Sequence, residues 1–209
     1  MIKGTNITKL FGENGLRSTD ISAEKGEMIA LSGASGCGKS TLLNIITGML
    51  RPDTGKVLLD GKDISKLSEK KRTALRGNVI GYVMQKNSLL PELTILQNLM
   101  FPAYIAGKSP DEKKAEALAE RLAIKGQLGS YPAQLSGGEY RRAMLARILM
   151  LETPIIAADE PTSNLDRESA EIVRDMLLEA NQKGTTIITA SHDPMLLQSA
   201  HRVIVVGDK

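Results

Sequence analysis

The sequence is short of thiols, aromatic rings and long apolar runs, and each shortage removes a class of protein. Cys37 is the single cysteine, so no internal disulfide and no multi-cysteine zinc cluster can form. With no Trp and only 3% aromatic residues, the core must be filled with aliphatic side chains. The most apolar stretches, around Ile29, Ile45, Leu99 and Val205, fall far short of the ~20 residues needed to cross a bilayer. Met1-Ile2-Lys3 does not open a secretory signal, which leads us to expect a cytosolic chain. If a membrane is involved, another chain must span it. Nor is there an excess of charge of one sign: 27 basic residues against 24 acidic ones leave +3. That is too little to argue for nucleic acid, which needs a clustered basic stripe.

What is present is enough for one substantial core: 209 residues, 42% of them hydrophobic. Short β-branched or apolar runs alternate with amphipathic stretches, the pattern of an α/β domain with a largely parallel sheet. Strands are expected at Ile2–Thr5, Ile21–Ala23, Met28–Ser32, Lys56–Leu59, Val79–Met84, Ile155–Asp159, Thr186–Ala190 and Val203–Val206. Ile155–Asp159 and Thr186–Ala190 lack polar alternation and read as buried centre strands. Ser109-Pro110-Asp111-Glu112 offers a cap, a first-turn proline and a glutamate three residues on, predicting a helix to about Ile124. Asp193-Pro194 starts another in the same way. Between Lys86 and Leu151 several helical stretches and no convincing strand occur, so a helical lobe of about residues 86–152 is expected to interrupt a core of about 1–85 and 153–209.

Met28-Ile29-Ala30-Leu31-Ser32 runs into Gly33-Ala34-Ser35-Gly36-Cys37-Gly38-Lys39-Ser40-Thr41 and then Leu42-Leu43-Asn44-Ile45-Ile46. Strand, glycine-rich loop and helix follow in the order that phosphate binding needs. Glycines let successive backbone N–H groups turn inward around a phosphate, and the helix presents its positive end. Lys39 adds a full charge near the β and γ phosphates, and Ser40 is left to ligate Mg²⁺. The bland alternative is a flexible turn before a helix. Cys37 lies inside the loop, where the helix terminus and Lys39 would favour a thiolate; equally, the position could simply tolerate a small side chain.

Ile155-Ile156-Ala157-Ala158-Asp159-Glu160 is an apolar strand ending in two carboxylates, at the sheet edge where α/β folds place ligands. Asp159 would hold Mg²⁺ through its water shell. Glu160 would orient and polarise the attacking water in line with the γ-phosphate. Alone, such a pair is more often a solvated strand end.

Leu135-Ser136-Gly137-Gly138-Glu139 precedes an amphipathic helix from Tyr140 to Met150, and Pro161-Thr162-Ser163-Asn164-Leu165-Asp166 follows the carboxylates. With these runs the chain closely resembles the nucleotide-binding domains of ABC transporters, over essentially its whole length and with every hallmark in order. The resemblance implies a P-loop NTPase fold with a RecA-like mixed sheet core, an N-terminal antiparallel β subdomain and an inserted helical subdomain. It makes Gly33 to Thr41 the Walker A loop, Gln85 the Q-loop glutamine that reaches Mg²⁺ or the water, and Leu135 to Glu139 the signature. Ile155 to Asp159 becomes the Walker B strand, Glu160 the catalytic glutamate, Ser163 to Asp166 the D-loop and His192 the switch histidine. Phe11 falls where the family puts a ring on adenine, although a core Phe or the alternative aromatic Tyr82 is also open. Ser136 with Glu139 is an ordinary capping box too, but two glycines in a first turn weaken a helix and allow close approach to a ligand. In the family, Ser136, Gly137 and Gly138 face the γ-phosphate held by a second copy, so one chain carries half of each site.

The resemblance implies ATP and Mg²⁺ as cofactors and a homodimer or heterodimer of ATP-binding subunits. It also implies a transmembrane permease as partner and a place on the cytoplasmic face of the cell membrane. Met84 to Thr94 and Ser163 to Asp166 look like the subgroup serving lipoprotein release, macrolide export and antimicrobial-peptide export. An ABC-type ATPase that regulates a membrane or cell-wall complex without moving solute is the alternative. A soluble DNA- or ribosome-acting relative would usually carry two cassettes or long coiled-coil insertions. The apolar segment Leu89 to Tyr104 is expected either to dock on a membrane partner or to be buried within the lobe. Two departures from the usual pattern stand out: Glu139-Tyr140-Arg141-Arg142 replaces a glutamine-rich run, and Ala157-Ala158 thins the Walker B strand.

Overall fold

The computed structural model describes every residue except Glu13, Lys86, Asn87, Asp208 and Lys209. Two sheets organise it. Strands β1 (Ile2–Phe11), β2 (Asn14–Ala23), β4 (Thr54–Leu59) and β5 (Lys62–Asp63) form an antiparallel sheet in the order β2-β1-β4-β5. Strands β3 (Met28–Ser32), β6 (Ile80–Val83), β7 (Ile155–Asp159), β8 (Thr186–Ala190) and β9 (Arg202–Val205) form a parallel sheet in the order β6-β7-β8-β3-β9. The expected α/β class with an antiparallel subdomain is what the chain adopts. The two strand directions are segregated into separate sheets rather than mixed in one.

The parallel sheet is covered on both faces, and β7 shows how. Ile155 and Ala157 join one core with helix α1 (Lys39–Ile46) and the antiparallel sheet; Ile156 and Ala158 join a second core with α5 (Gly137–Leu149) and α6 (Arg167–Gln182). Alternate side chains pointing to opposite buried faces leave no room for polar alternation. The remaining helices are α2 (Glu69–Asn78), α3 (Ile95–Ile105), α4 (Glu112–Arg121) and α7 (Pro194–Ser199). Between β6 and β7 the described residues hold only helices and short helical turns; the expected lobe boundary near Lys86 lies outside them.

The observed boundaries differ from expectation for local reasons. β1 runs past Thr5 to Phe11 because Asn6, at φ 50°, makes a bulge that shifts the register between Gly4 and Ile7. The bulge moves burial from the even positions Ile2 and Gly4 to the odd Ile7, so a period-2 reading stops there. The cap of α4 is Asp111, whose carboxylate accepts from Lys114 N at 3.0 Å, not Ser109. The helix stops at Arg121 because Ala123 adopts φ 52°, with Ile124 N donating to Ala119 O at 2.8 Å. Asp193 caps α7 as read, accepting from Met195 N. The segment Leu89–Tyr104 divides: Leu89, Ile95, Leu99 and Met100 are buried, while Tyr104 is exposed together with Ile105.

Candidate functional site

Parallel pairing places the ends of β3, β7 and β8 side by side, with Leu31 opposite Ala190 and Asp159 opposite Ala190 on the other flank. Whatever follows each strand is therefore delivered to one edge. After β3 comes the glycine loop, in which Gly33, Gly36 and Gly38 take φ of 141°, 80° and 104°. At Gly33 a Cβ would also lie 2.4 Å from Val206 O, so only glycine fits both the conformation and the space. The loop, β7 and β8 enclose a cavity of about 920 Å³ lined by Ser35, Gly36, Gly38, Lys39, Ser40, Thr41, Gln85, Glu160, Ser163 and His192, among others.

Lys39 is 8% exposed, and its ammonium donates to Gly33 O at 2.8 Å and Ala34 O at 3.2 Å. Its third contact is His192 Nε2 at 2.9 Å. An ammonium can only donate, so Nε2 must accept and the imidazole proton sits on Nδ1. His192 Nε2 also lies 3.6 Å from Glu160 Oε1. With Nε2 accepting from Lys39, that approach is a neighbour contact between a neutral ring and a carboxylate, not an ion pair. Glu160 itself holds φ 48°, a left-handed conformation uncommon for a residue with a side chain. Its N donates to Ala190 O at 2.9 Å, and its O accepts from Ser163 Oγ at 2.9 Å.

Ser40 Oγ donates to Asp159 Oδ1 at 3.0 Å. Burial pushes the Asp159 carboxyl above its ordinary range, opposed by the Ser40 hydrogen bond and by the charges of Lys39 and Arg141. The folded chain thus holds the Asp159 proton at a pH where the unfolded chain has released it. Stability therefore falls as pH rises from the ordinary carboxylate value of 3.8 toward the raised folded value, and stays reduced above it. Asp159→Asn is accordingly expected to raise the melting temperature of the nucleotide- and metal-free chain at pH 7 and to flatten that pH dependence. Calorimetry across pH 4 to 8 checks this; a lower melting temperature with an unchanged slope would remove the argument.

The hydroxyl of Ser40, the Asp159 carboxylate and the Gln85 amide are all hard oxygen donors. Among the described residues, no cluster of three or more His, Cys, Asp or Glu side chains could cage a metal alone. A cation here would take ligands from a bound phosphate as well.

Not all expected site residues meet at this cavity. Ser136, Gly137 and Gly138 start α5, where Ser136 and Glu139 form a reciprocal capping box. Ser136 Oγ donates to Glu139 Oε2 at 2.7 Å, and Gln127 Nε2 donates to Glu139 Oε1 at 2.9 Å. These hydrogen bonds, that from Ser136 foremost, hold the Glu139 carboxyl below its usual range. Gly137 borders a separate groove with Leu89, Tyr140 and Asn164. The Cys37 thiol packs toward the core cluster containing Val206 and is not among the residues lining the cavity, which agrees with a position that takes a small side chain. Phe11 ends β1 with 56% of its surface exposed and Lys9 Nζ 5.9 Å from its ring centroid, so it is not a core residue. Tyr82 packs against the core beside Asp159, with its hydroxyl pushed up by burial and by that carboxylate. The sequence reading missed Arg141, which bridges Met84 O and Ser163 Oγ at 3.2 and 3.4 Å. Its one visible sign was the departure from a glutamine-rich run.

Known proteins with this arrangement are close at hand. The lipoprotein-releasing system ATP-binding protein LolD of Saccharophagus degradans is 40% identical over 97% of this chain and 92% of its own. The macrolide export ATP-binding/permease protein MacB of Bartonella henselae is 42% identical over 92% of this chain, which spans 30% of that protein. A dimeric ATP-binding cassette solved in a post-hydrolysis state with ADP and Pi superposes with a TM-score of 0.92 at 32% identity, over 99% of this chain and 94% of that one. No helix among the described residues is long and apolar enough to cross a membrane. With the ABC transporter family matching residues 16–163 and these relatives spanning nearly all of the rest, the chain belongs to the ABC transporter family as an ATP-binding, ATP-hydrolysing cassette.

Proposed function

We propose that this cassette works as one of a pair, in which closure of two ATP-binding subunits over ATP drives a separate membrane-spanning permease. One observation carries the reading. The cavity gathers Lys39, Ser40, Gln85, Glu160 and His192 at one sheet edge, while none of Ser136, Gly137 and Gly138 at the helix start lines it and Gly137 borders a different groove of the same chain. Each cavity thus needs a second copy, or a related cassette, to supply that helix start. We take residues 1–209 as a single ATP-binding domain with its core at about 1–85 and 153–209 and a helical lobe at about 86–152.

In this reading the N–H groups of Gly33 to Thr41 and the Lys39 ammonium bind the phosphates, and Phe11 stacks on adenine. Ser40, Asp159 and Gln85 would hold Mg²⁺, which would supply neutralisation of the phosphate charge. Glu160 accepts a proton from the attacking water, and His192 contacts the γ-phosphate. The similarity to lipoprotein-releasing and macrolide-export proteins supports an export or lipoprotein- or peptide-handling system, with the cassette peripheral on the cytoplasmic face of the membrane. The exposed Tyr104 and Ile105 at the end of α3 offer apolar surface to the permease.

Single-cysteine probes at Ser35 and Ser136, in a Cys37→Ser background, test the pairing. Crosslinks between chains should form under ATP saturation in the Glu160→Gln variant. Their absence under those conditions would overturn the proposal.

A further inference from the structure

Helix α5 holds the segment carrying Gln85 at both shoulders. On one side Arg141 Nη1 donates to Met84 O at 3.2 Å, directly before Gln85. On the other, Arg147 donates to the Ser88 carbonyl and hydroxyl at 2.8 and 2.9 Å, and Leu89 N donates to Tyr140 Oη at 3.0 Å. Arg141 goes further than its neighbours. Its Nη2 donates to Ser163 Oγ at 3.4 Å, and that hydroxyl donates to Glu160 O at 2.9 Å. One guanidinium thus joins the helix that begins at Ser136 to the strand end before Gln85 and to the turn after Glu160. The planar fork serves a carbonyl from Nη1 and a hydroxyl on another segment from Nη2, a spacing of donors that the single nitrogen of a glutamine amide or a lysine ammonium does not reproduce.

We propose that Arg141 is a positioning residue for ATP hydrolysis: its fork holds Gln85 and Glu160 in register with each other and with the Ser136 helix. The inference rests on the roles assigned to Gln85 and Glu160 above. Arg141 is not among the residues that line the phosphate cavity; it acts through Met84 and Ser163. Displacing reacting groups by about 1 Å costs on the order of a hundredfold in rate, and a loosened tie should approach that.

Steady-state ATP hydrolysis by the full chain tests it. Arg141→Gln should lower kcat by roughly ten- to a hundredfold and leave KM for ATP within about twofold. In a Gln85→Ala background the same substitution should cost clearly less than in the wild-type chain, because only the tie to Glu160 through Ser163 is then left to lose. A merely structural arginine would lower the melting temperature and slow both backgrounds equally. Arg141→Lys keeps the stem and charge but loses the fork, and carries the test if the Gln variant does not fold; it too should be slow. A kcat within twofold of wild type in either folded variant, or an equal loss with and without Gln85, overturns the inference. Glu160→Gln run alongside separates the two levels. If that variant turns over normally, the reading of the site itself fails. If it is silent while the Arg141 variants are fast, only this inference fails.

Discussion

Glu160→Gln is expected to silence steady-state ATP hydrolysis by about a hundred- to ten-thousandfold, the range a positioned general base contributes, while ATP binding persists. Three features of the site lead there. The Glu160 side chain is 16% exposed in the phosphate cavity, with the His192 ring nitrogen 3.6 Å from its carboxylate. Its backbone is held at φ 48° by bonds to Ala190 and Ser163, so the carboxylate is delivered by a fixed, mildly strained turn. Gln matches Glu in shape and meets the same backbone demand, so the turn should survive. The amide cannot take the water's proton at neutral pH, and nothing else in the phosphate loop changes. Bound ATP should therefore accumulate with the subunits paired, seen as an ATP-dependent shift to dimer in gel filtration. Unchanged turnover would refute the assignment of Glu160.

The parts legible in the sequence were those whose cause is local. Met28–Ser32, Ile155–Asp159 and Thr186–Ala190 form strands at the bounds expected, because strands buried on both faces need unbroken apolar or β-branched runs. The glycine loop was legible because φ between 80° and 141° at Gly33, Gly36 and Gly38 demands that residue. The antiparallel hairpin was half hidden, since the Asn6 bulge reverses the burial parity of β1. Helix α2 was missed: Glu69–Asn78 buries only Arg72 and shows no apolar stripe. What the sequence could not display is the set of long-range ties. The Arg141–Met84 bond spans 57 positions and the Lys39–His192 bond 153, and no spacing rule encodes which donor meets which acceptor across a fold. The family resemblance supplied Gln85, Ser136 and His192 as site residues. It could not supply Arg141, whose residue type departs from the family pattern.

Lys39→Ala is expected to act on the other half of the cycle, weakening ATP binding by roughly ten- to a hundredfold, in line with about 1.5–3 kcal/mol for a hydrogen bond to a charged group. The buried ammonium is already oriented by Gly33 O, Ala34 O and His192 Nε2, so its charge is fixed across the loop before a phosphate arrives. That preorganisation spares the entropy of ordering a long side chain on binding. Truncation removes the charge and also the hydrogen bond that Lys39 gives His192 Nε2. Lys39→Arg should not restore affinity: a planar fork is far bulkier than an ammonium in a loop where a single Cβ on Gly33 already collides with Val206 O. Titration with a fluorescent ATP analogue separates this variant from Glu160→Gln, the first losing affinity and the second losing turnover alone. An unchanged Kd for Lys39→Ala would mean that the backbone amides and helix end hold the phosphates unaided, and the electrostatic role given to Lys39 would have to be withdrawn.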